Sequence, residues 1–167
     1  MHLPVGPKTW HGSFYCISEL ARALRLLARK MTALQLRDFA ERYTTAWCSH
    51  DAARVAEFFS PNGSLKVNAA RAAVGREAIT EVASGFMRAF PDLKVLMDGL
   101  SSEKGRAVYR WTLIGTHLGE SGSGNRVHIS GYEEWRIGSD GLIAESLGHF
   151  DEAEYQRQLE GRELGTR

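Results

Sequence analysis

Two spacings of hydrophobic residues divide this chain near Pro91: before it they recur every three or four positions, after it every second one. Thr32 followed by Gln35 makes a capping-box pattern, and Leu36, Phe39, Ala40, Tyr43 and Trp47 form one stripe, predicting a helix over 33–49. Ser49-His50-Asp51 interrupts it, and Asp51 is placed to cap a short second helix carrying Val55, Ala56, Phe58 and Phe59. Ser60-Pro61-Asn62-Gly63 reads as a turn, 64–68 as a short strand, and the Ala/Arg stretch up to Gly75 as loop. A helix over 77–90 lines up Ile79, Val82, Ala83, Phe86, Met87 and Phe90, and Pro91 stops it.

From there the pattern predicts strands over 93–97, 106–118, 126–137 and 142–150. The connections are a turn over 101–105, a glycine-rich loop over 119–125 and the tight turn Ser139-Asp140-Gly141. Asp151 with Glu154 repeats the capping pattern for a closing helix through Leu159. Helices followed by an antiparallel meander predict an α+β fold, a curved antiparallel sheet wrapped as a cone around the N-terminal helices. Gly115 and Gly131 are the expected sites of bends or bulges, and the resulting hollow suits a small ligand. Alternation turns Tyr109, Trp111, Leu113 and His117 inward on one strand, and Ile129, Gly131, Glu133, Trp135 and Ile137 inward on the next. His149 has the same expected inward parity as Leu147.

A length of 167 residues points to one main domain. The first 31 residues stand apart: Lys8, Arg22, Arg25, Arg29 and Lys30 face Glu19 alone, whereas the remainder holds 16 basic and 19 acidic side chains. An amphipathic arm, a basic targeting segment, or translated sequence ahead of a start at Met31 all fit that stretch, and a dispensable extension is the expectation. The division is therefore 1–31 extension, 32–160 domain and 161–167 tail. A net charge of +1 argues against nucleic acid as a partner. No apolar run approaches the ~20 residues needed to cross a bilayer. Cys16 and Cys48 form no CxxC, which indicates neither a disulfide framework nor a zinc ribbon and makes a reduced, cytoplasmic setting the default.

Phe90-Pro91-Asp92-Leu93, the run Trp111 to Gly119 containing Gly115-Thr116-His117, Gly131-Tyr132-Glu133-Glu134-Trp135-Arg136, and Asp140-Gly141-Leu142-Ile143 together resemble the SnoaL-like polyketide cyclases of the nuclear-transport-factor-2-like superfamily. The resemblance spans about 32–160. It implies ring closure of a polyketide by intramolecular aldol chemistry without a cofactor, using an acidic residue on the penultimate strand three positions before an arginine. That position is Glu133 before Arg136, where the family typically has Asp, and the family histidine matches His117. Members usually carry a longer loop than 120–125. The resemblance also implies a homodimer through the outer sheet face, where Arg110, Thr112, His128, Tyr132 and Arg136 lie.

Physical chemistry supports the pair: burial raises a carboxyl pKa toward neutrality, and an imidazole can polarise a carbonyl oxygen. Glu133 and His117 are thus the candidate catalytic residues, with Tyr43, Trp47, Phe86, Phe90, Trp111, Trp135 and His149 as candidate pocket residues for a hydrophobic, carbonyl-bearing molecule. His117, Glu133 and His149 have the types of a two-histidine, one-carboxylate iron site, yet nothing in their spacing demands a metal. No cofactor is expected. The competing reading is a ligand-binding or dimerisation module whose site is vestigial, since glutamate reaches about one methylene further than aspartate and a shift of ~1 Å can cost a hundredfold in rate.

Overall fold

A computed structural model describes residues 31–118 and 122–161. The chain divides into Met1–Met31 and Thr32–Arg167; the expectations for 1–31, and for most of the 161–167 tail, lie outside the described residues. Helix α1 runs Ala33–Cys48 and α2 Ala52–Ala56. Strand β1 spans Phe59–Val67 and β2 Ala73–Val74, with α3 at Arg76–Ala89. Then come β3 Lys94–Glu103, β4 Arg106–Thr116, β5 Arg126–Ile137, β6 Ile143–Phe150 and α4 Glu152–Leu159. No described helix is long and apolar enough to cross a membrane.

Local chemistry sets the helix starts. Thr32 Oγ1 accepts the Gln35 N–H at 3.2 Å while the Gln35 side chain accepts the Thr32 N–H at 2.9 Å, completing the capping box. Asp51 accepts the Ala53 and Arg54 N–H groups at the head of α2, and Asp151 accepts that of Glu154 at the head of α4. The second helix ends earlier than its apolar pattern suggests, because Phe59 already pairs with Ile143 of the sheet.

The six strands form one sheet in the order β2-β1-β6-β5-β4-β3, antiparallel throughout except that β1 runs parallel to β6. Three expectations change here. The Ser60–Gly63 turn does not separate two elements; it is an irregularity within β1, where the register jumps from Phe59 to Ser64. A side chain at Gly63 would strike the Ile143 carbonyl at 2.7 Å, so only glycine lets the bulged chain lie against β6. The stretch before Gly75 contributes β2, which pairs with Ser64 and Leu65. The turn over 101–105 shrinks to Lys104-Gly105, both with positive φ, the backbone of a two-residue hairpin whose twist matches its strands.

Gly115 and Gly131 produce no bulge, since β4 and β5 pair without a register break. Register breaks fall elsewhere, between Met97 and Gly99 and between Arg136 and Ile137. Gly131 is instead a berth: a Cβ there would meet the Trp111 indole at 2.6 Å and collide with the His149 carbonyl. The core between helices and sheet is aromatic. Tyr43 sits at its centre, edge-on to Trp135 at 5.1 Å, Phe58 at 5.4 Å and Tyr109 at 5.6 Å, and Tyr109 stacks on Trp135 at 4.8 Å. Such ring pairs add about 0.5–1.5 kcal/mol each beyond the area they bury.

Candidate active site

Alternation on β5 carries Val127, Ile129, Glu133 and Trp135 to the inner face, and all four are buried. A carboxyl therefore enters the core, with Glu133 only 7% exposed. Three side chains receive it. Ser146 donates its hydroxyl to Oε2 at 2.6 Å, the Trp135 indole N–H donates to the same oxygen at 2.8 Å, and the Tyr43 hydroxyl spans both oxygens, 3.2 Å from Oε2 and 3.3 Å from Oε1. Each element positions one member: β6 supplies Ser146, β5 Trp135 and α1 Tyr43.

Two effects compete at that carboxyl. Hydrogen bonds to a charged acceptor are worth about 1.5–3 kcal/mol each and favour the carboxylate, whereas taking an ion out of water costs several kcal/mol. Burial wins: the Glu133 pKa lies above the ordinary carboxylate value, with the bonds from Ser146, Trp135 and Tyr43 offsetting part of the rise. Burial, reinforced by the Glu133 charge, also lifts Tyr43 well above a free phenol, so its proton stays in place.

Glu133 borders a hollow of about 60 Å³ lined by Trp47, Leu65, Val67, Val82, Phe86, Val95, Trp111, Leu113, Gly148 and Phe150. Among these residues Glu133 alone ionises. The Nε1–H of Trp111 is buried with no hydrogen-bond acceptor among the described residues. A donor in that condition costs roughly 1–3 kcal/mol.

Of the residues singled out in the sequence, Trp47, Phe86 and Trp111 line this hollow with Glu133. Tyr43 and Trp135 sit behind it as fully buried donors to the carboxyl. Phe90 is also fully buried, beside His117 and Tyr155 rather than in the wall. His149 corrects its expected parity. The inward positions of β6 are Ser146, Gly148 and Phe150, so His149 turns outward and stacks on half-exposed Tyr132 at 4.8 Å. Leu147 misleads the pattern there, because its inward neighbours Ser146 and Gly148 are small and the aliphatic side chain between them lies on the outer face.

His117 is not brought to Glu133 either. Tyr109 is the β4 partner of Glu133, and His117 lies eight residues beyond it, about 25 Å of extended strand. Its Nδ1 accepts the Ser123 N–H at 3.2 Å and its ring rests 5.5 Å from that of Phe90. The three residues considered for an iron site consequently do not converge. Ser146 escaped the sequence reading altogether. The signal that finds it is register: Ser146 pairs with Trp135 and Gly148 with Glu133.

A family model for the SnoaL-like polyketide cyclases matches residues 37–159. The chain belongs to that family. Among solved structures, a protein of Jannaschia sp. CCS1 described as a SnoaL-like polyketide cyclase superposes with a TM-score of 0.68 at 17% identity, covering 80% of this chain and 99% of its own. TsrD of Streptomyces laurentii gives 0.67 at 23% identity, covering 78% and 98%. AclR of Streptomyces galilaeus, described as a hydroxylase, gives 0.66 at 22%, covering 80% and 100%. At these identities the likeness shows the fold that the SnoaL-like domain adopts. No curated protein matches the sequence.

Proposed function

We propose that this SnoaL-like chain is an acid/base enzyme acting on a small, largely apolar, carbonyl-bearing molecule, with Glu133 taking and returning the proton and no cofactor taking part. One observation carries this reading: a single ionisable group, its pKa raised by burial, borders an otherwise apolar hollow. A carboxylate there removes a proton alpha to a carbonyl. The enolate then attacks a second carbonyl of the same molecule, and the carboxylic acid returns the proton to the new alkoxide. The unpartnered Trp111 N–H is a donor of the kind that receives a carbonyl oxygen as charge develops on it. His117 has no part in this scheme. Family membership supports the polyketide-cyclase type of chemistry.

The test is exchange at carbon. With cyclohexanone, a simple ketone whose uncatalysed exchange is slow, in D2O, the wild type should introduce deuterium beside the carbonyl faster than buffer alone, and Glu133→Gln should slow this by about 10²–10⁴-fold. Wild-type exchange in the Gln variant ends the proposal.

A second reading has one observation behind it. A cavity of roughly 150 Å³ takes a benzene ring, and the hollow of about 60 Å³ is smaller. A module that binds nothing ring-sized would keep that volume with any ligand offered, whereas the enzyme widens at its half-buried wall residues Val82 and Phe86. A crystal soaked in the ketone distinguishes them. For the assembly, we propose a homodimer through the outer sheet face, where Leu96 and Tyr132 stay 50% and 39% exposed.

A further inference from the structure

The two oxygens of Glu133 are not equivalent. Oε2 receives Ser146 at 2.6 Å and Trp135 at 2.8 Å, in addition to the longer Tyr43 contact at 3.2 Å. Among the described residues Oε1 has only the Tyr43 hydroxyl, at 3.3 Å. An indole N–H donates and never accepts, so Oε2 must present a lone pair to Trp135 whatever the protonation state of the carboxyl. The hydroxyl oxygen of a carboxylic acid is a poor acceptor. A proton on Oε2 would meet the fixed Trp135 donor and would turn the buried Ser146 hydroxyl, bonded among the described residues to Oε2 alone, from donor to acceptor, leaving its own hydrogen without a partner. Tyr43 imposes no such restriction, because a phenol oxygen can also accept a proton directed from Oε1.

We propose that Ser146 is the positioning residue of Glu133: with the Trp135 indole it holds Oε2 as the carbonyl-type acceptor and so fixes the carboxyl's exchangeable proton on Oε1. The assignment deepens the acid/base reading above and rests on it for its catalytic meaning, though the hydrogen-bond pattern stands by itself. Ser146 is fully buried, and a buried hydroxyl needs a partner that an alanine would not. Trp135 is held by its stacking on Tyr109 and by the Tyr43 and Phe39 rings, so its N–H cannot swing to Oε1 without breaking the core. The ionisable groups facing Glu133 are Tyr43 from α1 and Tyr109 from β4; burial raises both above an ordinary phenol, so both stay neutral while Glu133 titrates. Neither supplies the asymmetry, which comes from Ser146 and Trp135.

The test follows the Glu133 carboxyl itself, by carbon-13 NMR titration of glutamate-labelled protein and by its infrared carbonyl band, recognised as the signal absent from Glu133→Gln. Ser146→Ala should raise the titration midpoint by about one pH unit, since one strong donor to the charged form is lost. It should also move the protonated carbonyl band to higher frequency, and Ser146→Thr should restore both. A serine needed only for packing lowers thermal stability and leaves midpoint and band in place; that result overturns the proposal. The wild type provides a check independent of any variant. Its protonated band should lie at the low frequency of a carbonyl accepting two hydrogen bonds, and a band at the frequency of an unbonded carboxyl refutes the assignment. Should midpoint and band behave as stated while Glu133→Gln still exchanges deuterium at the wild-type rate, the positioning is upheld and the acid/base function fails.

Discussion

Glu133 couples the site to the stability of the fold. Its folded pKa lies above its ordinary value of 4.5, with burial the largest cause. The unfolded chain therefore releases this proton at lower pH than the folded one. The contribution of Glu133 to stability is complete below 4.5 and is lost as pH climbs through the raised folded value. Glutamine at 133 keeps the shape, can accept from Trp135 and Ser146 through its carbonyl, and has no proton to lose. The stability of Glu133→Gln minus that of the wild type should be flat at acid pH and grow as pH rises, measured by urea unfolding from about pH 4 to about pH 8. A difference that shrinks with rising pH contradicts the buried, raised carboxyl. The inward direction of this residue was legible from Gly131, Trp135 and Ile137 around it. The hydrogen-bond cage was not, because Tyr43 and Ser146 lie 90 and 13 positions away in the chain.

Elements whose limits are set by neighbours in sequence came through most clearly. The capping box at Thr32 and the Asp51 and Asp151 caps are formed by residues two or three apart, so spacing alone reveals them. Strand ends and bulges answer to the partner strand, and the reading of Ser60–Gly63 as a turn between elements, and of Gly115 or Gly131 as a bulge, failed for that reason. The β3–β4 hairpin retains an improvable residue. Lys104 occupies a left-handed conformation at φ 49° that a two-residue turn with Gly105 requires and that asparagine adopts more readily. Lys104→Asn should stabilise the protein by about 0.5 kcal/mol or more, seen as a higher denaturant midpoint with unchanged slope.

On the scale of the molecule, the sheet has one face in the core and one that the described residues leave uncovered. Outward-facing Thr112 bonds to Asp98 and to Ser130 at 2.6 and 2.7 Å, Arg110 pairs with Glu103, and Leu96 and Tyr132 remain exposed among them. A second copy on this face predicts twice the chain mass by light scattering. Combining Leu96→Glu with Tyr132→Glu should halve that mass and leave the circular dichroism unchanged. A wild type with the mass of one chain at micromolar concentration removes the dimer.

The sequence by itself determined the α+β class, the helix starts, the family and the inward direction of Glu133, because each depends on residues close in the chain or on a two-residue alternation that one strand carries alone. Only the tertiary structure decided which side chains meet. It brought Ser146, Trp135 and Tyr43 to one carboxyl, kept His117 some eight strand residues away from it and turned His149 outward. Those outcomes follow from register between strands, and register is fixed by packing across the whole sheet rather than by any local preference.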